Sequence, residues 1–197
     1  MDVNGFWELV EASREIRPEH EQLGCGRPEC ERAERLTERL ATLPVEEVLE
    51  FQLRLDEVRA PLDTMATLAV AKLVQRGRIS DDGLWYFHAW LIGLGRTAYA
   101  TALADPDALA DQPAVRRLAA LPYQDWDNHD FPDWEELDYC AAYAHERITG
   151  EEDGLEDLLA EVGHDSPVNA EPVGEVWTPA DTAARLPRLS ALFAEAS

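Results

Sequence analysis

The chain has 197 residues, 46% of them hydrophobic, and carries a formal net charge of −23 from 40 acids against 17 bases. That length and apolar content exclude wholesale disorder and suit one domain, burying roughly 70% of its unfolded surface without help from disulfides or metal. Phosphate binding needs Lys and Arg to displace counterions, so neither nucleic acid nor an anionic membrane is an expected partner.

Asp2 or Asn4 caps a first helix whose Phe6, Leu9 and Val10 share a face, and Pro18 marks its end. Residues 20–28 read as a loop. Cys25 and Cys30, with His20 upstream, give a His-x4-Cys-x4-Cys spacing. Zinc sites usually bring a second ligand pair, so no metal is expected here. Three cysteines, an odd number, argue against a secreted disulfide framework. Pro28 opens a second helix with Leu36, Leu40 and Leu43. Thr42 is the expected cap of a third, in which Val48, Phe51, Leu55 and Val58 recur at threes and fours. Pro61 interrupts. Leu62 to Val74 reads as a central buried helix, stopped by Gly77.

Ser80 is the expected N-cap of the next helix, and Asp81 and Asp82 suit the positive end of its dipole. Gly83 costs about 1 kcal/mol against Ala inside a helix, which points to close packing there. Leu84, Phe87 and Leu91 share a face, and Gly93 and Gly95 make a break before Arg96. Asp105-Pro106-Asp107 caps a short turn. Residues 123–134 form an acidic aromatic loop. Asp133 is the expected cap of a helix running to about Ile148, with Gly150 beyond its end. An acidic helix follows over 155–162. Residues 163–178 read as an extended linker, and Thr178-Pro179-Ala180-Asp181 opens a last short helix that Leu189, Leu192 and Phe193 dock. No strand alternation of useful length appears. The expected fold is all-α: a helical bundle over 1–162, of about seven to nine helices by the capping signals, and an extended segment with a docking helix over 163–197.

The pattern resembles a bacterial family known as domain of unknown function 4240. The resemblance starts at Phe6-Trp7 and continues through Leu43-Pro44-Val45-Glu46-Glu47 and Phe51. It is sharpest at Ser80-Asp81-Asp82-Gly83, Phe87, Ala89-Trp90-Leu91-Ile92, Gly95-Arg96 and Asp105-Pro106-Asp107. It resumes at Glu136-Leu137, Tyr139, Pro172, Gly174, Trp177 and Pro187-Arg188-Leu189, covering about 1–195. It implies a fold, but no reaction, substrate or cofactor.

Two candidate sites emerge. Asp81, Trp85 and His88 fall on one helical stripe, with Asp82 beside them and Arg96 at the rim, so they can line a cleft. Paired carboxylates suit acid–base chemistry, and they suit helix capping equally. The second site is the loop. Asp125, Trp126, Asp127, His129, Asp130 and Trp134 mix carboxylates with aromatic anchors, the composition of a face for a basic protein or peptide. The charge distribution favours it: residues 121–197 hold 19 acids and 3 bases, net −16, against −7 for the first 120. No serine-protease signature, Walker loop, dinucleotide fingerprint or HExxH motif occurs. The leading expectation is a cytoplasmic binding or regulatory module. The alternative is a small-molecule or peptide-modifying enzyme working at Asp81, Asp82 and His88.

Overall fold

A computed structural model describes residues 1–14, 28–80, 82–127, 130–167 and 171–194. Among them the fold is all-α, as the periodicity predicts, with no β-strand and an isolated parallel bridge between Thr64 and Val173. The helices are α1 Val3–Ala12, α2 Pro28–Leu40, α3 Val45–Arg59, α4 Met65–Val74, α5 Gly83–Gly93, α6 Arg96–Ala104, α7 Pro113–Ala120, α8 Cys140–Thr149, α9 Gly154–Glu161, α10 Pro179–Arg185 and α11 Pro187–Ala194. The described helices exceed the expected seven to nine because α7 is not among the expected elements and the C-terminal segment is two helices, split at Leu186-Pro187.

The helices gather into two compact units. One comprises Met1–Val58 and Trp134–Val168; the other comprises Arg59–Asp133 and Asn169–Ser197.

The first unit packs α8 against α2 and α9, and α1 against α2. Its core holds Phe6, Leu36, Leu40, Phe51, Leu55 and Leu137, and the Phe6 and Phe51 rings lie 5.2 Å apart. Asp2 caps α1 as expected, its carboxylate accepting from the Asn4 and Gly5 N–H groups. Thr42 does not cap α3; its hydroxyl donates to the Arg39 carbonyl and closes the end of α2 instead. Asp133 does not cap α8 either. A 3-10 turn over Glu135–Tyr139 precedes the helix, which starts at Cys140. Ile148, near the end of α8, is 37% exposed. Gly154 must be glycine, since a Cβ there would lie 2.3 Å from the ring of the buried His145.

The second unit wraps α4, α5, α6 and α7 around Val70, Phe87, Ile92, Leu109, Val115 and Leu118. Pro61 sits in a 3-10 turn over Ala60–Leu62, so α4 starts at Met65, with Thr64 as its cap. The cap of α5 is Asp82 rather than Ser80, and the Asp82 side chain makes no capping hydrogen bond; the Ser80 carbonyl accepts from Gly83 N–H. Gly83 is tightly packed as expected: a Cβ would meet Ile79 Cγ1 at 2.7 Å. Residues 171–178 run without helix, and Val173 bonds the backbone of Asp63 and Met65. Thr178 and Asp181 form a capping box at α10. Leu189 and Phe193 of α11 are buried as expected.

Candidate functional site

The expected α5 cleft divides between a buried histidine and more exposed neighbours. His88 is 0% exposed, because Leu84, Phe87 and Leu91 turn that side of α5 into the core. Its Nδ1 lies 3.5 Å from the Asp63 carboxylate, yet among the described residues neither ring nitrogen makes a hydrogen bond. Burial, aided by the positive charge of Arg59, pushes the His88 pKa down to about 3. The imidazole is therefore neutral at pH 7, and its contact with Asp63 is no salt bridge. Burial pushes the Asp63 carboxyl up, partly offset by Arg59. The Arg59 guanidinium, 1% exposed, stacks 4.0 Å over the half-buried Trp85.

His88 and Trp85 thus join a cluster with Arg59 and Asp63, two residues that sequence reasoning missed. Asp82 and Arg96 are exposed. Asp81 lies outside the described residues. The expected cleft is corrected on one point: His88 does not open into it. In this structure His88 is a neutral core side chain.

The acidic aromatic loop also divides. Asp125 and Asp127 are exposed, and Trp126 is half-buried in an aromatic cluster with Tyr123 at 5.2 Å and Phe131 at 5.7 Å. Asp130 is buried, pairs with Arg117 and accepts from the Asp127 N–H at 3.1 Å. Those bonds, the Asp127 N–H foremost, hold its carboxyl below the usual carboxylate range. Trp134 is 1% exposed. Its Nε1–H donates to the Glu29 carbonyl, and Arg32 stacks 4.0 Å over its ring. Arg32 donates in turn to Ser13 Oγ and the Val10 carbonyl, tying α1 to α2, and burial pulls its pKa down to about 9. Asp130 and Trp134 are therefore structural, a correction to their expected place on a recognition face. His129 lies outside the described residues.

The acidic helix expected over 155–162 is α9, whose surface is not among the candidate sites read from the sequence. Glu151, Glu152, Asp153, Glu156, Asp157 and Glu161 are all exposed, and none forms an ion pair among the described residues. In the same unit Tyr139, which ends the 3-10 turn before α8, and Tyr143 of α8 are 43% and 52% exposed, with rings 6.0 Å apart. The signal was the i,i+4 spacing of the two tyrosines, which puts them on one stripe.

Among the described thiols, Cys140 is set up for little chemistry. Cys140 is buried beside the Ala33 and Glu136 carbonyls, and burial pushes it up to about 12. Cys30 bonds Glu136 at 3.1 Å; Cys25 lies outside the described residues. Among the described residues no group of three or more His, Cys, Asp or Glu side chains is arranged to hold a metal ion, and no helix is long and apolar enough to cross a membrane.

A family model described as protein of unknown function (DUF4240) matches residues 1–147. No curated protein and no solved structure matches the chain.

Proposed function

The chain belongs to the DUF4240 family, and from its surface chemistry we propose that it is a non-enzymatic, cytoplasmic binding module for a basic protein or peptide segment. One observation carries this reading: the α9 surface presents six exposed carboxylates with no base among them, and the same unit exposes two tyrosines, Tyr139 just before α8 and Tyr143 on it. Carboxylates supply long-range attraction and steer encounter with a cationic partner. Tyrosines supply contact area at low entropic cost. Helix stability does not account for Glu161, since an acid in the last turn opposes the macrodipole by about 0.3–1 kcal/mol.

The test is titration of an Arg- and Leu-rich decapeptide into the full chain and into a Glu152→Lys/Glu161→Lys variant. These positions lie outside the first turn of α9, so reversal leaves the helix start intact. The variant should bind at least tenfold more weakly, with a shallower dependence on salt. Unchanged affinity would remove the reading.

A further inference from the structure

The chain contains a single lysine, Lys72, on α4. Its side chain is exposed and lines two adjoining recesses of the second unit. The first recess, of about 750 Å³, also takes Arg76, Arg78, Tyr123 and Gln124 as walls. The second, of about 440 Å³, is apolar, walled by Met65, Leu68, Val176 and Trp177. Lys72, Leu73 and Ser190 belong to both. In a chain with 40 acids, no described Asp or Glu lines either one.

The basic end is a shaped structure. Arg76 holds a left-handed backbone with φ +52°, unusual for a non-glycine residue. Its guanidinium donates to the Ala119 and Leu121 carbonyls and faces the Phe193 ring at 5.4 Å. Arg78 stacks 4.1 Å over Tyr123. At the junction, Ser190 Oγ is buried and has no hydrogen-bond partner among the described residues. A buried hydroxyl without a partner has a cost that a ligand acceptor removes.

We propose that this groove binds an amphipathic carboxylate, with the anion between Lys72 and Ser190 on the side of Arg76 and Arg78, and the apolar body in the Trp177 recess. Charge complementarity selects the head group. The size and lining of the second recess match those of small-molecule sites, which are concave and mostly apolar. The overall charge of −23 repels small anions, so the apolar body must supply part of the affinity. That separates this ligand from an inorganic anion.

The same carboxylate chemistry comes from a free organic acid or from a peptide C-terminus. The test is isothermal titration of the full chain with decanoate against decanol, with acetyl-Leu-Phe as acid against its C-terminal amide, and with inorganic phosphate. At least one acid should bind tenfold or more tightly than its uncharged counterpart, and the tighter acid identifies the source. Lys72→Met keeps the apolar stem and removes the charge; it should weaken the acid fivefold or more with an unchanged circular dichroism spectrum. Equal binding of acid and uncharged counterpart in both pairs overturns the proposal. So does no binding of either acid at millimolar concentration, phosphate binding as tight as decanoate, or unaltered affinity in Lys72→Met. Lys72→Met should leave decapeptide capture intact, and Glu152→Lys/Glu161→Lys should leave acid binding intact, so the two proposals fail separately.

Discussion

His88 exemplifies how burial rewrites a residue's chemistry. A histidine on an aromatic helix beside acids reads as an acid–base candidate, but at 0% exposure it is a neutral core side chain with two unbonded nitrogens among the described residues. Its pKa drops from 6.5 to about 3. Between those values the unfolded chain binds a proton that the folded chain refuses, so this residue lowers stability as pH falls below 6.5, with a slope approaching about 1.4 kcal/mol per pH unit. Asp63 works in the opposite sense: its raised pKa means that its cost fades as pH falls. Comparison with His88→Leu isolates the histidine. The variant should lie within about 1 kcal/mol of the parent at pH 7, since an apolar side chain of similar size replaces an unbonded polar one. It should then gain on the parent down to pH 5. Urea unfolding at pH 7, 6 and 5 checks this, and parallel pH profiles would refute it.

Elements in this fold are fastened by polar groups distant in sequence. Asp107, in the 3-10 turn over Pro106–Asp111, is 7% exposed and accepts from Arg188 N–H at 3.1 Å and Leu189 N–H at 2.9 Å. It caps α11 from about 80 residues away, satisfying backbone donors that the helix start leaves open. This joins two segments that the sequence presents as unrelated. Asp107→Ala should cost about 2 kcal/mol and loosen α11, read as faster amide hydrogen exchange over 188–194. Exchange unchanged there would show that apolar contacts of Leu189 and Phe193 hold the helix alone. In the first unit, Asp56 plays a similar part, accepting from Gln52, His164 and Ser166 and pinning the chain after α9 to α3.

Across the whole molecule, net repulsion outweighs ion pairing. With forty acids against seventeen bases the excess carboxylates repel one another, and the ion pairs among the described residues are mostly part-exposed and contribute little. Salt shortens the screening length from about 30 Å at 0.01 M to about 8 Å at 0.15 M, relieving the repulsion more than it weakens the pairs. The melting temperature should therefore rise with sodium chloride over that range, by about 2–4 °C per kcal/mol relieved. Thermal scans read this directly, and a falling melting temperature would show that local pairs outweigh the net field.

Helix periodicity, caps at Asp2 and Thr178, the stop at Gly150 and the charge asymmetry are local properties, and the chain alone determined the all-α fold and acidic character from them. The caps at Ser80, Thr42 and Asp133 were misread because cap residues also suit 3-10 turns and preceding helix ends, and competing backbone geometry chooses among these. Burial was hidden for a different reason. Trp134 and Asp130 look like a recognition loop in one dimension, and only packing against Arg32 and Arg117 turns them inward. The groove around Lys72 was likewise illegible, since α4, the residues after α7 and α11 contribute its walls from over a hundred residues of chain. Which side chains face water, and which meet, is decided by long-range contact, and no local spacing encodes it.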